Sequence, residues 1–206
     1  MDLTTYTGLK AAVATTLNRD DLASEVPAFI RLAEAQMQSD LRHWRMEKRA
    51  ETTIDGQFTG LPSDWQETIR LHLNTDGTVD MRSVSRREIQ TMRAASDDTA
   101  GEPRYYTHNA GQLEVFPTPD GSYSADLSYY ANIEALTDSN ASNWLLDKFP
   151  DIYLYGTLIH TAPFLQEDER TQTWAALYGA AVKKANDASK QSTASGSGLR
   201  MTIKSY

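Results

Sequence analysis

The spacing at which apolar residues recur changes twice along this chain, and that constrains its fold more than any single motif. Between Leu22 and Arg42 the apolar positions Val26, Phe29, Ile30, Ala33, Met37 and Leu41 return at threes and fours, with Glu25, Arg31, Glu34, Gln38 and Asp40 elsewhere. That period predicts a helix with one core face and one wet face. From Arg45 the spacing moves towards two: Ile69, Leu71 and Leu73 alternate with Arg70 and His72 as in a half-buried strand. After Pro150 the helical spacing returns, through Ile152, Tyr155 and Ile159 and then Trp174, Leu177, Tyr178 and Ala181. The order helix, sheet, helix predicts an α+β protein: a helical bundle scaffold, an inserted antiparallel β-sheet and an extended C-terminal tail. The expected divisions are 1–44 and 142–191 for the scaffold, 45–141 for the β-rich insertion and 192–206 for the tail.

Local signals fill in this frame. Leu9, Val13 and Leu17 mark a short helix over 7–17, and 18–21 is a polar break. Asp55-Gly56 between Thr52-Thr53-Ile54 and Phe58 predicts a hairpin, and Asp76-Gly77 a second turn, followed by a short strand through Val79, Met81 and Ser83. Ser85 with Glu88 three residues on has the form of a capping box. The small, acidic stretch 94–103 is the best internal loop. Tyr105-Tyr106, 113–116 and 123–130 are three further strands, and no βαβ rhythm suggests a parallel pair. Thr137 to Asn143 is a polar turn that supplies helix caps, with Ser142 or Asn143 opening a brief helix and Pro150 the next. Pro163 should end or kink that helix. Asp168 and Glu169 favour the start of a last long helix, expected to pack on 22–42.

Composition narrows the function. The chain has 206 residues, enough for a buried core, and 40% hydrophobic residues. It has no run long and apolar enough for a membrane span, and MDLTTYTGLK lacks the form of a signal peptide, so synthesis in a cytoplasm is expected. Zero cysteines exclude disulfides, thiolate metal sites and a cysteine nucleophile. A formal charge of −8 argues against a chain built to grip phosphates, although an acidic channel wall would let DNA pass without sticking.

Catalytic signals are weak. His43, His72, His108 and His160 are scattered without metal-ligand spacing, and His160 reads as a core or interface side chain. There is no GxSxG setting and no Gly-rich phosphate loop. Asp138, Asp147, Asp151, Asp168 and Glu169 fall where capping or solvation accounts for them. No enzyme activity and no cofactor is expected. One basic and aromatic cluster, Arg42-His43-Trp44-Arg45 with Lys48 and Arg49, could contact DNA or a neighbouring subunit, although cations are also favoured at a helix C-terminus without any ligand. Arg82, Arg86, Arg87 and Arg93 form a looser group. At the end of the chain a Ser, Thr, Ala and Gly linker from Gln191 to Gly198 precedes Leu199, Met201 and Ile203, which alternate with Arg200, Thr202 and Lys204. A two-residue period on a tethered end reads as a strand in search of a sheet edge.

Five blocks in order carry a family likeness: LNRDDLASEVPAFIRLAEAQMQSDLRHWRMEKRAETT, LPSDW, EPRYYTHNAGQLEVFPTPDGSYSADLSYYA, the stretch from Asp126 to Ala181, and GLRMTIKSY. Together they resemble the head-to-tail adaptor proteins of tailed bacteriophages over most of the chain. The resemblance implies a structural virion protein of the neck, made in the host cytoplasm. It would form a homo-oligomeric ring, a dodecamer, that docks on the portal protein, presents the next neck or tail ring and continues the channel for genome DNA. It also implies that Leu199, Met201 and Ile203 bury against the portal or a neighbouring subunit, and that Arg42, Arg45, Lys48 and Arg49 make inter-subunit or DNA contacts. A head-closure or tail-completion protein, a nucleic-acid-binding module and a virion hydrolase are the alternatives.

Overall fold

In a computed structural model, the described residues are 2–75, 77–97, 99–165 and 169–194. The chain forms α1 (Tyr6–Leu17), α2 (Val26–Asp40), strands β1 (Glu47–Ile54), β2 (Phe58–Gly60), β3 (Trp65–Thr75), β4 (Gly77–Asp80) and β5 (Arg82–Ser83), then α3 (Arg86–Ala95). It continues with β6 (Tyr105–Asn109), β7 (Gln112–Phe116), β8 (Tyr123–Ala131), α4 (Trp144–Lys148), α5 (Pro150–Ile159) and α6 (Arg170–Ala194). The fold is α+β. It separates into two compact units: one from 1–45 with 133–206, the other from 46–132.

The first unit is helical. Its core takes the predicted stripes of α1 and α2, with Leu9, Val13, Val26, Phe29, Ile30, Ala33 and Met37 buried. Asn143 caps α4 by accepting from the backbone N–H groups of Leu145 (3.1 Å) and Leu146 (2.9 Å), and Pro150 opens α5 at a position where its missing N–H costs nothing. The α5 helix ends at Ile159, ahead of Pro163, which sits in a single 3-10 turn. The last helix differs from expectation in length and in partner: α6 runs to Ala194, into the stretch read as a linker from Gln191, and it packs chiefly along α5, and α5 in turn along α2. From α6, Trp174, Tyr178, Ala181, Val182 and Ala185 are buried, whereas Leu177, expected on the same stripe, is exposed. Side chains of α6 instead finish α2. Asn186 donates to the Asp40 carbonyl (3.0 Å) and accepts from Arg42 N–H (2.9 Å), Ser189 Oγ accepts from Trp44 N–H (2.8 Å), and Tyr178 OH donates to Asp40 (2.9 Å). The polar groups left over at a helix end are thereby satisfied.

The second unit holds two four-stranded sheets, in the orders β1-β8-β3-β4 and β2-β7-β6-β5, which share one core of Ile54, Leu71, Leu73, Met81, Tyr106, Leu113, Val115 and Leu127. Four expectations are corrected here, beginning with the single strand expected through Val79, Met81 and Ser83, which is two strands, β4 and β5, in different sheets. The Asp55-Gly56 turn joins β1 and β2, but they do not pair as a hairpin: β1 pairs with β8 and β2 with β7, so the turn carries the chain from one sheet to the other. Phe58 accordingly faces out and Thr59 is buried. Ile69 also faces out, because the register between β3 and β8 shifts between Thr68 and Arg70, and a bulge reverses which side chains point inward. Finally, β5 and β6 are parallel, with α3 as the crossover, so a small βαβ unit does occur.

The α3 helix is fixed at both ends. Ser85 and Glu88 make the predicted capping box. Near the other end Arg93 donates to Thr118 Oγ1 (2.8 Å) and the Val115 carbonyl (3.1 Å), and lies 3.6 Å from the buried Glu114 carboxylate.

Candidate functional site

Each histidine has a structural partner. His43 stacks on Trp144 with ring centroids 5.1 Å apart, and burial and Arg45 pull its pKa down. His72 Nε2 lies 3.2 Å from Asp126, His108 meets Thr68 Oγ1 at 3.0 Å, and His160 meets Gln36 at 3.0 Å. Burial lowers the pKa of His108 and of His160. Among the described residues no three His, Asp or Glu side chains converge as metal ligands, and no helix is long and apolar enough to cross a membrane.

The carboxylates singled out in the sequence are dispersed. Asp138 pairs with Lys10 at 3.0 Å, Asp147 with its neighbour Lys148 at 2.8 Å, and Asp151 turns back on the Ile152 N–H in the first turn of α5. Glu169 is exposed just before α6, and Asp168 lies outside the described residues.

The basic cluster has intramolecular partners. Arg42 donates to the carbonyls of Gln38 (3.1 Å), Ser39 (3.3 Å) and Leu41 (2.7 Å), serving the open end of α2. Arg45 lies over the Trp44 ring at 4.7 Å. Lys48 reaches Asp64 at 2.7 Å. Arg49 grips Asp126 through two bonds of 3.0 and 2.6 Å, the bidentate geometry that suits guanidinium and carboxylate. That grip leads the causes that hold the Asp126 carboxyl below its usual range. The Arg49 side chain nonetheless keeps 63% of its surface exposed, open to a further acidic partner. Leu199, Met201 and Ile203 lie outside the described residues.

A buried polar strap in the helical unit is the feature that sequence reasoning missed. Glu34, placed on the wet face by sequence, is only 9% exposed. It accepts from the Leu136 N–H (2.8 Å) and from Tyr153 OH (3.2 Å), and burial raises its pKa. Asn143 donates to the same Tyr153 oxygen (2.7 Å) and to the Glu134 carbonyl (2.7 Å). One turn along α2, Gln38 both donates to and accepts from the backbone of Ile133, at 3.0 Å each way. The strap fixes the stretch from Ile133 to Asn143 to α2, satisfying backbone groups that would otherwise be buried without partners. Spacing did carry the signal: Glu34 lies four residues after Ile30 and three before Met37, on the apolar stripe, and only its charge argued otherwise.

Among the described residues six large apolar side chains are exposed: Leu32, Trp44, Phe58, Ile69, Phe164 and Leu177. The caps, the strap and the ion pairs of the described residues serve the architecture, which suits a structural component. Comparison with known proteins agrees: the SU10 adaptor protein family matches residues 4–201, and the chain belongs to that family. It is thus a phage adaptor, a virion component that interacts with other head or tail proteins. No curated protein matches it.

Proposed function

We propose that this adaptor docks as a ring, a dodecamer, on the portal, presents the next neck or tail ring, and carries the DNA channel onward from capsid to tail. The work is mechanical: interface area is added, head and tail symmetries are matched, and no bond is made or broken. The observation that carries this reading is the extent of the family match, which runs through both units and on to residue 201, past the last described helix. A net charge of −8 suits a wall along which duplex DNA slides without adhering. Leu199, Met201 and Ile203 supply the anchor, buried on the portal or a neighbouring subunit. Arg42, Arg45, Lys48 and Arg49 lie at contacts with neighbouring subunits or with the passing DNA.

Co-sedimentation with portal rings from the same virus tests this directly. The full chain should pellet with the rings, and a chain ending at Ala194, or one ending at Gln191, should bind them at least tenfold more weakly. Equal recovery of the full and shortened chains would remove the tail from the anchor. Failure of all of them to bind portal, with binding to a neck ring already in place, would make the protein a head-closure or tail-completion component instead.

A further inference from the structure

The outer strands of the two sheets differ greatly in length. β4 has four residues, β2 three and β5 two, whereas β1 runs for eight residues at the rim of its sheet. Among the described residues β1 pairs only with β8. Short outer strands are a common protection against stray pairing; a long one without proline is a template for another strand. The faces of β1 are chemically distinct. Glu47, Arg49, Glu51 and Thr53 share one face, and Glu51 keeps 79% of its side-chain surface exposed. On the other face Ile54 is buried in the shared core and Ala50 packs against it.

We infer that the β1 edge of one copy receives the C-terminal segment of a second copy, residues 199–204, as an added strand. This rests on the ring reading above, which brings a second copy alongside. Leu199, Met201 and Ile203 would lie on the face of Thr52, Ala50 and the Lys48 stem, next to the buried Ile54. Arg200 and Lys204 fall on the opposite face, four residues apart, the same spacing as Glu47 and Glu51. In an antiparallel register Arg200 meets Glu51, Lys204 meets Glu47, Thr202 meets Arg49 and Met201 meets Ala50. The two glutamates match this segment in sign and spacing, and Arg49 between them is held by Asp126. Around a closed ring each edge would be filled by one tail, so the contact saturates when the ring closes.

The test uses the full chain and a fluorescent peptide of residues 197–206, followed by anisotropy. The peptide should bind the wild-type chain, and either the double variant E47K/E51K of the chain or a peptide with R200E/K204E should weaken binding at least tenfold. The reversed peptide on the reversed chain should recover most of that loss. Absence of peptide binding, or affinity indifferent to these charges, overturns the inference. Portal co-sedimentation with the same variants separates the two readings. If R200E/K204E in the full chain abolishes portal binding while E47K/E51K leaves it intact, the tail belongs to the portal: the strand addition falls and the adaptor reading stands. Glu47 and Glu51 are exposed, and a thermal melt by circular dichroism checks that E47K/E51K is folded.

Discussion

Substituting Gly156 with Ala probes the centre of the helical unit, where α5 lies between α2 and α6. A Cβ built there would approach Met37 Cε at 2.9 Å and the Tyr178 ring at 3.1 and 3.3 Å. The methionine methyl ends a flexible chain, but Met37 is fully buried and has little space to swing into. The tyrosine ring is tethered through its hydroxyl to Asp40 at 2.9 Å, so it too gives way reluctantly. Overpacking of this kind costs about 1–3 kcal/mol. Against that, replacing a helical glycine with alanine gains about 1 kcal/mol of helix propensity. The net expectation for G156A is a loss of about 1 kcal/mol, seen as a fall of roughly 2–4 °C in the melting of the helical signal. Gly179, in the exposed part of α6 with nothing within 4 Å of its Cβ position, is the control. Only the propensity term acts there, so G179A should raise the melting temperature by about the same amount. The pair is measured by circular dichroism melts and urea titration. A G156A chain stabilised as much as G179A would refute the claim that α5 is tightly packed at this point.

Other expectations follow from polar groups. Asp126 is held below the ordinary carboxylate range chiefly by hydrogen bonds from Arg49; its contribution to stability is complete above the usual value and drains away as pH falls through the depressed one. D126N should therefore be less stable at neutral pH and show a flatter stability curve between about pH 5 and about pH 2, read from urea midpoints. Glu34 has the opposite sign: burial raises its pKa, so its contribution is complete below the ordinary value and is lost as pH rises through the raised one. E34Q should gain on wild type as pH climbs from about 4 to about 7, and a constant difference would sink this account. Thr157 is fully buried and its hydroxyl has no hydrogen-bond partner among the described residues, so T157V should stabilise the chain by about 1 kcal/mol in a denaturant titration.

Much of the local structure was legible because its signals act over a few residues. The Ser85–Glu88 capping box, the Asn143 cap, the Pro150 helix start and the Leu9, Val13 and Leu17 stripe all depend on neighbours within about two helical turns. The family was legible too, since ordered blocks survive in sequence whatever their packing. Strand partners were not. Asp55-Gly56 announces a reversal of the chain but says nothing of which sheet the next strand joins, and β2 lies beside β7, more than fifty residues away in the chain. Glu34 was missed because its charge outweighed its position on the stripe, and only the Leu136 N–H and Tyr153, brought in from a distance, make that position tolerable.

By itself the sequence determined where most helices and strands begin, how several are capped, the α+β class and the adaptor family, because periodicity, turn chemistry and motif order are written in adjacent residues. Tertiary structure alone decided that α6 lies along α5, that β1 and β2 belong to different sheets, that a bulge turns Ile69 outward, and that the cations at 42, 45, 48 and 49 find partners within the chain. Those outcomes depend on competition among groups far apart in sequence for the same buried space and the same hydrogen bonds. That competition is settled only when the whole chain packs at once.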